Sequence, residues 1–348
     1  MNKRVTLKDI ARATGFHVST VSRALDLNSR ITLTEDVVRQ IREAADAMGY
    51  RRNRVASGLR TNRTMTIGVV IPDITNDLFP PIVRGIESVL EPEGYASIIV
   101  NTDNLPEREI RLVDVLTERG VDGILHAAPL RTDTSISGLL RQGIPVVTLN
   151  RRIEGSTVPY VVNDERAGIE MMLRHLHEAG HRRIAHIAGP QALSTGAVRL
   201  EAFRDTCAAL GLDEKACPIA VSERFDDDEG RRCAAELLDG KAAFTAILAA
   251  NDRLALGAID TLKKAGRAVP TDVSVTGFND LPSLQLIEPK LTTIRIQHFE
   301  AGRAAARILL SMLLHPEEEI ATETVLPVEI VARESVAPPD NRKVKKQA

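Results

Sequence analysis

Two groups of residues in this 348-residue chain have the types and spacing to do chemistry on a partner. The first is Val18, Ser19 and Arg23, inside Thr6–Leu25 (TLKDIARATGFHVSTVSRAL). A guanidinium can fork onto guanine O6 and N7, a hydroxyl can donate or accept at a base edge, and a valine can pack a thymine methyl. Two other readings stay open: Val18 as core, and Arg23 as a solvated or phosphate-binding charge. Thr6, Thr20 and Arg30 suit backbone positioning, and His17 suits a phosphate contact or plain exposure. The second group is Asn150, Asp164, Arg199, Asn251 and Asn279, polar residues that fall at the ends of apolar runs and at helix starts. Amides, a carboxylate and a guanidinium supply paired donors and acceptors, which suits a neutral polyol or sugar. Asp164 and Asn251 also suit helix N-capping, and the two roles can coexist.

The elements around the first group explain how it would be presented. Leu7, Ile10 and Ala11 recur at helical spacing, Thr14-Gly15-Phe16 makes a turn, and Val18, Val21, Ser22 and Leu25 recur again. This is the layout of a helix-turn-helix, whose second helix enters the DNA major groove with its N-terminal side chains on base edges. Thr6 with Asp9 predicts a cap on the first helix. Thr32-Leu33-Thr34-Glu35 reads as a capping box for a third helix carrying Val38, Ile41, Ala45 and Met48, with Gly49 as its left-handed stop. Residues 51–64 are basic and polar. Val55–Leu59 could form about one and a half helical turns, too short to be stable without a partner.

Charge divides the chain in the same place. Residues 1–62 hold twelve Lys/Arg against six Asp/Glu, a net +6, whereas the whole chain is −2, so the remainder carries −8. A basic head on an acidic body points to a polyanion partner for the head. From Met65 the pattern becomes βα alternation. Strands are predicted at 66–71, 96–100, 123–126, 145–149, 183–188, 246–250 and 273–277, and helices at 80–90, 108–119, 167–179, 199–210, 230–238 and 253–265. Apolar strand runs between amphipathic helices predict parallel sheets covered on both faces. The length and a break near Glu154–Val162 predict two doubly wound lobes with a ligand cleft at the strands' carboxyl ends.

Several classes of function are disfavoured. No apolar run approaches a membrane span, and no apolar core follows Met1–Arg4 as in a signal peptide, so a cytoplasmic protein is expected. Cys207, Cys217 and Cys233 form neither a metal spacing nor a disulfide framework. His177 and His181 have a zinc-like spacing, but no further ligand completes a site and Gly180 should end the helix first, so no metal is expected. Aromatics at 3% argue against a single-strand binder that stacks bases. No Gly-rich phosphate loop follows the first strand, so no cofactor is expected. No nucleophile–base set can be placed, so an enzyme such as a nucleoside hydrolase or kinase is disfavoured. A transport sugar-binding protein would not need the basic head.

In order, TLKDIARATGFHVSTVSRAL, MGYRRNRVASGLRT, TIGVVIPDITNDLF, GHRRIAHIAGP, AANDRLALGA and VSVTGFNDLP…LTTI resemble the lac-repressor (LacI/GalR) family of bacterial transcription regulators, over residues 5–335. The resemblance implies an α + α/β chain: a helix-turn-helix head (1–52), a hinge helix and linker (53–63), a two-lobed sensor folded like a type I periplasmic binding protein (64–335), and a basic, disordered tail (336–348). It implies a homodimer on a palindromic double-stranded operator, switched by a small-molecule effector such as a sugar, with no membrane partner. A heptad is lacking in the tail, which favours a dimer over a tetramer. By the same resemblance, Val18 and Ser19 fall at specificity positions and Arg23 at a base contact. Asn53 and Arg54 would touch phosphates, Val55 and Ala56 would pack hinge against hinge, and Leu59 would wedge the minor groove. Phe79 matches an aromatic of the cleft, and Asn150, Asp164, Arg199, Asn251 and Asn279 match effector contacts. Asn150 and Asn279 stand where relatives often carry Asp, which leaves the effector's identity open.

Overall fold

The computed structural model describes residues 5–25, 33–50, 63–133, 136–240 and 242–339. The chain divides into two compact units, Met1–Thr64 and Met65–Ala348.

The first unit contains α1 (Leu7–Thr14), α2 (Val18–Ala24) and α3 (Glu35–Ala47). Ile10, Val21 and Ile41 are fully buried and, with Ala11, Ala24 and Ala45, form its small core. Gly15 turns the chain between α1 and α2 at φ +73°, a conformation that costs glycine nothing. Thr6 precedes α1 and donates both its N–H (2.9 Å) and its hydroxyl (2.7 Å) to Asp9 Oδ2. The third helix departs from the sequence expectation. It starts at Glu35 with Thr34 as N-cap, so Glu35 is the first helical residue rather than the fourth residue of a box. Thr32 itself lies outside the described residues. Past α3, Gly49 has φ +64° and Tyr50 donates back to the Ala45 carbonyl at 2.8 Å, closing the helix as expected.

The second unit has two parallel sheets. The N-terminal lobe carries six strands in the order β11-β5-β4-β3-β1-β2: Glu323–Leu326, Tyr160–Asn163, Val146–Leu149, Gly123–His126, Thr66–Ile71 and Ala96–Asn101. Each neighbouring pair is parallel. Around it lie α4 (Phe79–Leu90), α5 (Pro106–Glu118), α6 (Ile136–Arg141) and α11 (His298–Leu314). The C-terminal lobe carries β7-β6-β8-β9 (Ile219–Val221, Ile184–Ala188, Ala246–Ala249, Ser274–Thr276), again parallel. Its helices are α7 (Glu165–Glu178), α8 (Ser194–Ala209), α9 (Asp227–Asp239) and α10 (Asp252–Lys264). β6 and β8 are buried along their whole length, which explains why their sequences do not alternate: β8 is a continuous apolar run, and β6 is apolar except for His186.

The chain crosses between lobes three times. It leaves the first sheet after β5 into α7. It returns through β10 (Thr293–Arg295) into α11, and leaves again from β11 into β12 (Glu329–Val331). β10 and β12 pair antiparallel, so two of the crossovers are tied together. The break predicted at 154–162 therefore falls one strand early, because β5 still belongs to the first sheet. α11 packs on α4 so closely that a Cβ on Gly302 would sit 2.0 Å from the Ile82 carbonyl oxygen; only glycine allows the approach. The start of the segment expected to be a disordered tail is instead part of the second lobe. Ala337 donates to Ser274 Oγ at 3.1 Å, and its carbonyl oxygen accepts from the same hydroxyl at 3.2 Å. Residues 340–348 lie outside the described residues. Cys207, Cys217 and Cys233 are buried free thiols.

Three poorly solvated imidazoles, His181 and His186 buried and His298 half-buried, make the fold sensitive to acid. His186 is fully buried, stacks on Phe203 at 4.4 Å and has Nδ1 2.7 Å from the Leu248 carbonyl oxygen. Burial pushes His186, His181 and His298 down to about 4. Between that value and the ordinary 6.5, the unfolded chain takes up protons that the fold refuses, so stability falls as pH drops through this window. Asp252 and Glu165 act in the opposite sense, since burial raises both carboxyls, Asp252 to about 6, and acid relieves their penalty. The three imidazoles outnumber these two carboxyls. Taking the protein from pH 7 to pH 5 should lower its thermal midpoint, each imidazole costing on the order of 1–2 kcal/mol at pH 5. A midpoint that rises on acidification would show that these histidines are not held neutral.

Candidate functional site

In the head, Val21 and Ala24 fix one face of α2 in the core, and the opposite face is left open. Ser19 and Arg23, four residues apart, are exposed on it, and His17 is exposed at its start. Val18 is half-buried and packs against the core cluster, while Thr20 is half-buried. His17 takes the role that a serine or threonine usually fills. Its ring accepts from the Ser19 N–H at 3.3 Å and lies 2.7 Å from the Ser19 hydroxyl, so it caps α2 and fixes Ser19. Sequence reasoning placed it as a phosphate contact or a bystander because imidazole caps are rare. Thr6 is exposed at the start of α1. Arg30, Asn53, Arg54, Val55, Ala56 and Leu59 lie outside the described residues.

In the second unit a cavity of about 500 Å³ lies at the carboxyl ends of the strands, between the two lobes. Five of the six body residues singled out from the sequence line it: Phe79, Asn150, Arg199, Asn251 and Asn279. Asp164 does not. It caps α7, accepting from the Ala167 N–H at 3.0 Å, so of its two open readings the structure shows the cap. The residue beside it matters more. Glu165 and Arg199 are both buried and ion-paired. Arg199 also donates to the Ala250 carbonyl at 2.5 Å and lies 3.8 Å over the Phe278 ring. Burial pushes the Glu165 carboxyl up despite the Arg199 charge beside it.

The three asparagines are held differently. Asn251 lines the cavity and caps α10, its side-chain oxygen accepting from the Leu254 N–H at 2.8 Å. Asn150 sits at φ +64° just past β4, a left-handed geometry that asparagine tolerates. Asn279 lies past β9 at φ +122°; its side-chain oxygen is buried with no hydrogen-bond partner. Its neighbour Asp280 bonds to Arg295 on β10 at 2.7 Å and to Arg333 beyond β12 at 2.5 Å. A contact made at Asn279 is thus adjacent to a clamp on two crossovers.

Sequence reasoning missed other lining residues. Arg151 is buried and donates to the Ala128 carbonyl at 3.1 Å and to Asn104 Oδ1 at 3.4 Å. Burial lowers it to about 10, partly offset by Glu109. Its Nε is buried without a partner. Position offered the signal, because Arg151 directly follows Asn150 at the end of β4. Phe225 is a second lining aromatic, from the opposite lobe to Phe79, on a loop with no periodic pattern to mark it.

Residues 173–336 match a periplasmic binding protein-like domain. The chain is 30% identical to GalS, an HTH-type transcriptional regulator of Salmonella typhimurium, over 96% of this chain and 97% of that protein. It is 30% identical to the ribose operon repressor of Bacillus subtilis, over 96% and 99%. A LacI family transcriptional regulator from Enterococcus faecium, solved with bound ribose, matches with TM-score 0.70 and 34% identity over 78% of this chain and 99% of that one. The chain belongs to the LacI family. The lac repressor dimer bound to operator aligns with TM-score 0.84 over 96% of this chain and all of that one; at 24% identity this speaks to the fold alone. As a LacI-family member the chain is a DNA-binding transcriptional regulator, with the head and two-lobed body that the family resemblance implied. Its relatives are regulators rather than enzymes. No helix among the described residues is long and apolar enough to cross a membrane.

Proposed function

We propose that the protein is a cytoplasmic, non-enzymatic repressor that binds a palindromic operator as a homodimer and is switched by a neutral sugar in the interlobe cavity. The observation that carries the effector reading is the lining itself. Phe79, Asn150 and Arg151 come from one lobe and Arg199, Phe225, Asn251 and Asn279 from the other, with aromatic faces, amides and guanidinium groups converging on one space. The unpartnered Asn279 oxygen and Arg151 Nε are an acceptor and a donor that ligand hydroxyls would satisfy. The ribose-bound relative supports a sugar, as does the cellobiose complex of the transcriptional regulator CelR, 30% identical over 95% of this chain with TM-score 0.72. A thermal-shift screen beginning with D-ribose and cellobiose tests this, because a ligand of the fold raises its melting temperature by mass action. A panel of neutral sugars that left the melting temperature unmoved at saturating concentration would count against the reading.

For DNA, Ser19 and Arg23 read bases from the open face of α2, with Val18 assisting, and Thr6, Thr20 and Arg30 position the backbone. Residues 53–63 act as the hinge, with Asn53 and Arg54 on phosphates, Val55 and Ala56 at the hinge–hinge contact and Leu59 as the wedge. The units divide as 1–52, 53–63, 64–335 and 336–348, with Val336 and Ala337 at the start of the last segment added to the body. Arg23→Ala should relax base preference at one position per half-site and cost about 1–3 kcal/mol there, whereas Arg54→Ala should weaken all sequences alike. If binding to mutated half-sites showed the two variants behaving identically, Arg23 would be a phosphate contact.

A further inference from the structure

Among the described residues, one ion pair joins the two lobes at the cavity, Asp73 with Arg253. Asp73 follows β1 on the N-terminal lobe, and its two oxygens have separate tasks. Oδ1 accepts from the Thr75 N–H at 2.9 Å and the Thr75 hydroxyl at 2.6 Å, closing a local turn. Oδ2 accepts from Arg253 Nη1 at 3.0 Å, on α10 of the other lobe. Arg253 Nη2 in turn donates at 3.2 Å to Asp227, at the start of α9 in its own lobe. Arg253 is therefore aimed by Asp227 and reaches across to Asp73, and both ends of that reach line the cavity. Their side chains are 24% and 26% exposed, intermediate between a solvated pair and a buried one. Burial would by itself raise the Asp73 carboxyl; the Thr75 bonds and Arg253 outweigh it and hold it below its ordinary value.

Two other interlobe bonds are neutral. The Arg131 N–H donates to the Ala192 carbonyl at 2.8 Å, and the Arg152 N–H donates to the Ser194 hydroxyl at 3.0 Å. Residues 131 and 152 follow strands of the first sheet, while 192 and 194 belong to the second lobe. Bonds of this kind form only when the lobes meet, and they are not screened by salt.

We infer that Asp73, Arg253 and Asp227 form a latch that holds the lobes together over the cavity in the ligand-free protein and makes that closure sensitive to ionic strength. The latch needs no assumption about what the cavity binds. It would set how much of the free protein is already closed, and hence how strongly any ligand must act to shift the balance.

The test is amide hydrogen exchange on the full chain without ligand, following peptides that contain Arg131 and Arg152. Asp73→Asn keeps Oδ1 for the Thr75 turn and puts an amide nitrogen opposite Arg253. Arg253→Gln removes the charge that both carboxylates bind. Each variant should speed exchange at both amides about fivefold, and the double variant should go no faster than the quicker single one, since both remove the same interaction. About 0.5 M salt should move the unaltered protein in the same direction. The inference is overturned by unchanged exchange in either single variant, by accelerations that multiply in the double variant, or by acceleration that extends equally to β6 in the core, which would mean general loosening. None of these outcomes bears on whether a sugar binds, which the thermal-shift screen reads separately.

Discussion

Arg199→Ala should destabilise the protein by about 3–5 kcal/mol and abolish its response to effector. The substitution leaves Glu165 buried and uncompensated, strips a donor from the Ala250 carbonyl and removes the cation over Phe278. Thermal melting should show this as a midpoint lower by roughly 10 °C for a unit of this size. Arg199 therefore has two roles, as a cavity wall and as the partner of a buried charge, and a single alanine variant cannot separate them. The pair Arg199→Met with Glu165→Gln separates them. It removes both charges at similar volume, so stability should largely return, while the ligand response stays lost. Near-normal stability in the alanine variant would mean that the buried pair is not formed in solution. A full ligand response in the stable double variant would mean that Arg199 does not touch ligand.

Operator affinity should collapse with salt. The region 1–62 carries a net +6, and a dimer presents that charge twice. Each neutralised phosphate contributes a slope of about −0.9 in log affinity against log salt, so a dimer making six or more phosphate contacts should show a slope of magnitude at least about 5. Between 50 and 200 mM salt this is a loss of roughly a thousandfold. Fluorescence anisotropy on a labelled duplex measures it directly. A slope near zero would remove the basic head as the DNA surface.

Much of this was legible in the sequence, and the misses have physical causes. The strands at 66–71 and 123–126 fall where the apolar runs put them, because a strand buried on both faces is mostly apolar rather than alternating. The strands at 160–163, 219–221, 293–295, 323–326 and 329–331 escaped because none is buried along its whole length, so no continuous apolar run marks them. α11 also went unmarked, although Ala301, Ala305 and Leu309 and also Gly302, Ala306 and Leu310 recur at four-residue spacing and are buried. Five cavity residues could be chosen from strand ends and family resemblance, since ligands of doubly wound sheets meet the carboxyl ends of strands. Glu165 was invisible because a buried carboxylate on an amphipathic helix reads as surface. Asp73 with Arg253 could not be found at all, because no local pattern joins residues 180 positions apart. His17 shows the opposite lesson: its place at the start of α2 was clear, but its capping role became visible only in the geometry of its ring.

In the proposed switch, cavity occupancy and DNA affinity are coupled. In the proposed reading residues 53–63 link head to body, and the effector acts on operator affinity through that link. The direct measurement is operator dissociation constant with and without a saturating sugar, using a duplex selected from a palindromic library and the sugar that raises the melting temperature most. The expected change is about 5- to 150-fold, corresponding to a coupling of about 1–3 kcal/mol, with an equal reciprocal change in sugar affinity when operator is bound. A sugar that stabilises the protein yet leaves operator affinity unchanged at saturation would contradict it.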